Sequence, residues 1–209
     1  MTTLLIDTST ERSIVAWESD SKSKYIKELP YGLQSSSHLL PLIEEGRQFL
    51  GLEYSQIKKI GVGIGPGSYT GIRVGVAIAK GFAFANSIPL VGLCSLLGFV
   101  PYECGSYAAM IDARIGGVYV QIGNKTQDLV QVQTPCLMTV EQAENIAKTV
   151  DFVITPSKLA LEKRFQAQFI ERSPDAQYLM DILLKTAPTA EWNDKKSLPL
   201  LYLRDWAAQ

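Results

Sequence analysis

Histidine is almost missing from this chain: His38 is the one example among 209 residues. A zinc site of familiar spacing needs further imidazoles or thiolates, and a Ser-His-acid triad needs a histidine set against a nucleophile; neither pattern is present. His38 lies near a helix start and reads as a capping or hydrogen-bonding residue. Cysteine is scarce too. Cys94, Cys104 and Cys136 are odd in number, widely spaced and without a CxxC pair. That excludes a disulfide framework and leaves each expected as a small buried hydrophobe. Positive charge is not in excess, with 20 Lys+Arg against 21 Asp+Glu and a net charge of -1. The short runs at Lys22–Lys27 and Lys195–Lys196 are diluted by Ser or Asp, so no surface for direct nucleic-acid binding is expected. Long apolar runs are lacking as well: even Ile72–Phe84 is interrupted by Arg73 and Lys80. The opening Met-Thr-Thr-Leu-Leu-Ile-Asp has neither the basic region nor the apolar length of a signal peptide, so the cytoplasm is the expected address.

What is present is an ordinary α/β pattern, 46% hydrophobic and 20% charged, which suits one large domain or two small ones. Leu4–Ile6 and Ser13–Trp17 read as a hairpin around the polar tip Asp7-Thr8-Ser9-Thr10-Glu11, with a third strand near Tyr25–Leu29. Ser35-Ser36-Ser37 offers N-caps to a helix in which Leu39, Leu42, Ile43, Gly46, Phe49 and Leu50 recur at helical spacing, with Pro41 placed in its first turn. Ile60, Val62 and Ile64 alternate with glycines as a strand. Gly65-Pro66-Gly67 then turns the chain, Ser68 or Thr70 caps a helix over Gly71–Ala85, and Pro89–Val91 is a further strand. The second half echoes the first: Ala109-Met110-Ile111-Asp112, a polar tip through Ile115-Gly116-Gly117, and a returning strand Val118–Ile122. Two apolar-Ile-Asp hairpins point to two related α/β halves around a cleft, each offering an aspartate. Thr139 and Gln142 have capping-box spacing for a helix to Thr149. Phe152–Ile154 is a strand, Ser157 caps another helix, Ser173-Pro174 opens one reaching Leu184, and Leu200–Leu203 closes the chain as a strand.

The Gly-rich turn at Gly61–Gly71 invites a phosphate-loop reading, because exposed N–H groups at a helix N-terminus attract anions. The spacing argues against it. No Lys follows the turn as GxxxxGK[ST] requires, Thr70 stands where GxGxxG needs its last glycine, and no GxSxG is present. The helix beyond carries Gly71, Gly75, Ala79 and Ala83 four apart, with Val74, Ile78 and Phe82 alongside. Glycine in a helix costs about 1 kcal/mol relative to alanine, so two on one face need a reason. Close packing on the chain's own sheet is one, and admission of a partner's helix is the other; spacing alone does not decide. Asp7 and Asp112 are candidates to orient water or Mg²⁺ in a nucleotide cleft, and equally are ordinary turn formers at strand ends.

Ile6-Asp7-Thr8-Ser9-Thr10-Glu11, Gly65-Pro66-Gly67-Ser68-Tyr69-Thr70-Gly71-Ile72-Arg73-Val74-Gly75, Ile111-Asp112-Ala113-Arg114 with Val118-Tyr119, and Tyr202-Leu203-Arg204 resemble the TsaB family. His38-Leu39-Leu40-Pro41-Leu42-Ile43 resembles that family's first interface helix. The likeness is strong across the first half and patchy from Lys125 to Pro199. It implies an actin-like ATPase fold of two related subdomains. We set these at 1–103, carrying the pairing helices, and 104–209, divergent, with a C-terminal tail that can return to the first. It implies a supporting role, without catalysis, in making N6-threonylcarbamoyladenosine in tRNA beside the anticodon. The catalyst would be the paralogue TsaD, whose HxxxH motif is absent here, with the ATPase TsaE joining a larger complex, tRNA met only indirectly, and a homodimer formed when the chain is alone. Pairing would use the helices Ser37–Leu50 and Ser68–Ala85, with Leu39, Leu42, Ile43, Tyr69, Gly71, Arg73, Gly75 and Ala79 at the contact. On that reading Gly75→Leu leaves the fold largely intact but abolishes pairing. Any nucleotide, ATP or ADP with Mg²⁺, would lie at Asp7, Thr8, Ser9, Thr10 and Asp112, although no cofactor is firmly implied. Where related chains often carry a Gly-containing loop, this one reads Thr155-Pro156-Ser157, and Pro removes a donor. The alternatives are a nucleotide-dependent phosphotransferase or ATPase of the same fold, and a peptidase, the last without a nucleophile-base pair to support it.

Overall fold

The structure, a computed structural model, describes residues 1–29, 35–114, 116–188, 198, 200 and 201. It forms two compact units, one of Met1–Ser95 with Asp175–Leu200 and one built on Leu96–Pro174.

In the first unit β1 (Thr2–Asp7), β2 (Ile14–Glu18), β3 (Lys24–Glu28), β4 (Ile57–Gly63) and β5 (Leu90–Leu93) make one sheet in the order β3-β2-β1-β4-β5. β1, β4 and β5 run parallel, and the β1–β2–β3 meander is antiparallel. Every residue of β1 is buried, as a central strand covered on both faces requires. α1 (Ser35–Phe49) and α2 (Tyr69–Asn86) pack on the sheet. In α1, Leu39, Ile43 and Gly46 face inward at helical spacing. Gly46 lets the helix settle on Trp17 and Tyr25, whose Cδ1 atoms would lie 2.5 and 2.7 Å from an added Cβ. Two expectations for α1 need correction. Phe49 is 71% exposed, placed beside the Tyr25 ring and not in the core. Pro41 falls inside the helix and not in its first turn, because the helix begins at Ser35.

α5 (Ala176–Lys185) comes from late in the sequence to pack on β1, β2 and β5. Leu183 fills the space beside Gly61, so the face that looked bare of side chains on β4 is covered by this helix. Lys59, itself buried, donates to the Leu183, Leu184 and Thr186 carbonyls at 3.1, 3.3 and 3.0 Å. It therefore satisfies acceptors that a helix C-terminus leaves over, with a charge of the sign the dipole favours. The N-cap of α5 is Asp175, accepting from the Tyr178 N–H, and not the expected Ser173.

The second unit repeats the strand plan. β6 (Gly105–Asp112), β7 (Val118–Lys125), β8 (Val130–Val132), β9 (Cys136–Met138), β10 (Phe152–Thr155) and β11 (Phe169–Glu171) give the order β11-β10-β6-β7-β8, with β9 also on β7. Again an antiparallel hairpin lies beside parallel additions. α3 (Val140–Ala147) has the expected capping box from Thr139 and Gln142. α4 (Lys158–Glu162) follows Ser157, whose side chain makes no capping bond. Ala108, Met110, Val118, Val120, Val153, Leu161 and Phe165 form the core of this unit. Cys104 and Cys136 are exposed and Cys94 half-buried, against the expectation of buried thiols; each stands at or next to the end of a strand. The expected last strand falls largely outside the described residues, and Leu200 and Leu201 lie in no strand.

Candidate functional site

The distinctive string Gly65–Gly75 is explained by the loop it holds. β1 ends at Asp7, and Thr8, Ser9 and Thr10 continue inward with almost no exposure. Thr8 Oγ1 donates to the Gly71 carbonyl at 2.7 Å, and the Ser68 N–H donates to the Ser9 carbonyl at 2.7 Å. A Cβ on Gly71 would overlap the Thr8 carbonyl oxygen, one on Gly67 the Ser9 carbonyl oxygen, one on Gly75 the Thr8 hydroxyl, and one on Gly63 the Asp7 carboxylate. Four glycines thus clear the space into which the Asp7–Ser9 loop fits. The smooth stripe faces its own unit: Gly75 and Ala79 are buried, and Gly71 is half-buried. Gly75→Leu therefore breaks the fold locally, and the expectation that it spares the fold is corrected.

The same contacts occupy the turn. Ser68 caps α2 by accepting from the Gly71 N–H at 3.2 Å, so two N–H groups that an anion would use, those of Ser68 and Gly71, are bonded within the unit. Asp7 accepts from the Ser9 N–H at 2.8 Å, and Ser95 Oγ donates to Ser9 Oγ at 2.7 Å. Burial pushes the Asp7 carboxyl above the usual carboxylate range, against the pull of hydrogen bonds from Ser9 and Ser95. Neither Ser95 nor the cradle role of Gly63 and Gly67 was foreseen; each is distant in sequence from the loop it serves.

Asp112, its counterpart at the end of β6, is handled differently. Its Oδ1 accepts from the Arg114 N–H at 2.9 Å and from Arg164 Nη1 at 2.5 Å. Thr155, Pro156 and Ser157, the third candidate segment, are buried, with Ser157 N–H donating to Thr155 Oγ1 at 3.3 Å. Asp7 and Asp112 belong to different units. The actin-like fold implies a magnesium nucleotide between such aspartates. The residues here do not fit that cation: one carboxylate is buried among hydroxyls and backbone donors, and the other already holds a guanidinium. Among the described residues no group of three or more His, Cys, Asp or Glu side chains is placed to hold a metal.

α2 also presents an outward series. Tyr69, Arg73, Ala77, Gly81 and Phe84 are exposed at spacings of one helical turn, with Tyr69 at 47% and Phe84 at 70%. The Arg73 guanidinium carbon lies 3.8 Å from the centre of the Tyr69 ring. In α1 Leu39 and Ile43 are fully buried, Leu42 half-buried, and Leu40 half exposed at its edge. Of the eight expected contact residues, then, Tyr69 and Arg73 are exposed, Leu42 and Gly71 are half-buried, and the other four point into the unit. Ala77, Gly81 and Phe84 were not foreseen, although the steps of four residues from Tyr69 to Gly81 and of three from there to Phe84 were readable.

A polar knot is centred on Glu44 of α1. The Glu44 carboxylate accepts from Arg47 Nε at 2.9 Å, Arg47 Nη2 at 2.6 Å, Gln48 at 2.7 Å and the Tyr54 hydroxyl at 2.6 Å. Hydrogen bonds from Arg47 and then Tyr54 hold the Glu44 carboxyl down at about 2. The Tyr54 ring stacks on Phe82 of α2 at 5.2 Å, tying α1 to α2 through the intervening turn.

Two mixed sheets with flanking helices, each built on a hairpin that ends in Asp, define a chain of the actin-like ATPase fold. The family model for TsaD, tRNA N6-adenosine threonylcarbamoyltransferase, matches residues 32–194. The chain belongs to that family, on its TsaB branch. It is 36% identical over 124 residues to the tRNA threonylcarbamoyladenosine biosynthesis protein TsaB of Haemophilus influenzae, covering 57% of this chain and 52% of that one. The Escherichia coli protein of the same name is 30% identical over 125 residues, again 57% of this chain and 53% of the relative. The matched stretch thus spans about half the length of these curated relatives. A solved structure from Pseudomonas aeruginosa, described as similar to the peptidase YEAZ, superposes with a TM-score of 0.79 at 24% identity, covering 97% of this chain and 99% of that one. That likeness concerns the fold.

Proposed function

We propose that this chain is a supporting, non-catalytic subunit in the synthesis of N6-threonylcarbamoyladenosine in tRNA, acting by pairing with a TsaD-type catalyst. The observation that carries this is the division of α2 into two faces. Gly71 and Gly75 are committed to the chain's own loop, while Tyr69, Arg73, Ala77, Gly81 and Phe84 are turned outward. Exposed aromatics and an arginine beside small residues are the composition of a protein-binding centre. The names of the relatives supply the pathway. A TsaE-type ATPase joins the larger complex, tRNA is held by the partners, and a second copy of the chain takes the same face when the catalyst is absent. The cytoplasm, where such tRNA is modified, is its place of work, and no helix among the described residues is long and apolar enough to cross a membrane.

The test is reconstitution. A TsaD-type partner, a TsaE-type ATPase and tRNA are assayed for the modified base with and without this chain. Formation of the base is expected to need the chain; equal formation without it would remove the supporting role. Isolated chain turning over ATP would favour the phosphotransferase reading instead.

A further inference from the structure

We infer that Arg164 is the built-in cation of the β6–β7 tip, filling an oxygen-lined place that would otherwise take a hard divalent metal. Three oxygens of the tip converge on its Nη1: Asp112 Oδ1 at 2.5 Å, the Gly117 carbonyl at 2.9 Å and the Arg114 carbonyl at 3.5 Å. A carboxylate and two carbonyls meeting at one point form a donor set that calls for positive charge. All three are acceptors, so a side chain that neither carries charge nor reaches them with N–H groups would leave them facing one another. Arginine answers with a permanent charge and directed N–H groups.

The guanidinium is held in place before any ligand could arrive. Arg164 follows α4, and its backbone N–H donates to the Leu161 carbonyl at 2.8 Å. Its neighbours Leu161 and Phe165 are both in the core of the second unit. On the other side the tip is tightly drawn: Arg114 stands at φ +60°, its N–H on Asp112, and the Ala113 N–H donates to the Gly117 carbonyl at 3.2 Å. Both partners of the pair are only 20% exposed. A metal ion approaching Asp112 would meet a fixed like charge at the atom it needs. This account concerns the second unit alone and stands apart from the pairing proposal.

Thermal unfolding of the full chain in EDTA, then in about 5 mM Ca²⁺ or Mg²⁺, a range suited to weak oxygen sites, tests it. The wild-type midpoint is expected to be the same in all three. Arg164→Gln should unfold several degrees lower in EDTA and recover part of that loss in Ca²⁺, and adding Asp112→Asn should remove the recovery. Arg164→Lys, which keeps a charge, should fold and stay indifferent to metal. A wild-type midpoint that rises with metal and loses the rise on Asp112→Asn would overturn the inference. So would Arg164→Gln with an unchanged midpoint, or one that stays destabilised or unfolded whether or not metal is supplied.

Discussion

The two hairpin tips share a strand plan and an Ile-Asp ending, yet stabilise the aspartate by opposite means. In the first, Asp7 is buried beside glycines and receives only backbone and hydroxyl donors. In the second, Asp112 stays near the surface and receives a guanidinium. Their glycines differ in the same way. Gly71 and Gly75 are small because another backbone or side chain fills the space, as the Met138 carbonyl does beside Gly117, whereas Gly116 has open space around it and is needed for its φ of +87°. A repeated topology therefore fixes where an acidic residue sits without fixing its chemistry. The neighbours decide whether it becomes a buried hydrogen-bond acceptor or half of an ion pair.

Crowding the first tip is expected to have the largest effect. Gly71→Ala places a methyl on the Thr8 carbonyl, a backbone atom that cannot swing aside. Overpacking of this kind is expected to cost about 3 kcal/mol. For a chain of this size that lowers the thermal midpoint by roughly 10 °C. Scanning calorimetry reads it, and an unchanged midpoint would mean that the loop is not seated on the stripe.

A smaller effect sharpens the electrostatic half. Burial raises the folded-state pKa of Asp7 above its ordinary 3.8. The folded chain then favours the protonated form, so this group's contribution is fully present below 3.8 and is lost as pH rises through the folded value. Asp7→Asn, neutral at every pH and still able to accept from the Ser9 N–H, should be more stable than wild type at neutral pH and lose that advantage in acid. Denaturant titrations at pH values on either side of the window check the sign. An advantage that persists in acid, or a variant less stable throughout, would contradict it.

Much of this was legible in the sequence. The apolar runs Leu4–Ile6 and Ala109–Ile111, each ending in Asp, announced both hairpins, and the Thr139–Gln142 pair announced α3. β8, β9 and β11 were not legible, since three residues each are too few for a period to appear. The stripe was visible as spacing, but its neighbour was not, because Thr8 stands 63 residues from Gly71. Arg164 lies 52 residues from Asp112, in a short helix-end segment with no motif to mark it. Local patterns survive in a sequence because they are periodic; long-range pairs leave no such trace in a single chain.

α2 turns Gly71 and Gly75 inward and Tyr69 and Arg73 outward. Sedimentation of the Tyr69→Ala/Arg73→Glu chain mixed with a TsaD-type partner tests it most directly, with its thermal midpoint recorded alongside. Substitutions at these exposed positions, which remove the Arg73–Tyr69 cation–π contact among others, should cost no more than about 2 kcal/mol of stability. The expected result is a folded chain with a nearly wild-type midpoint that no longer sediments with the partner. A folded double variant that still forms the complex as wild type does would contradict it.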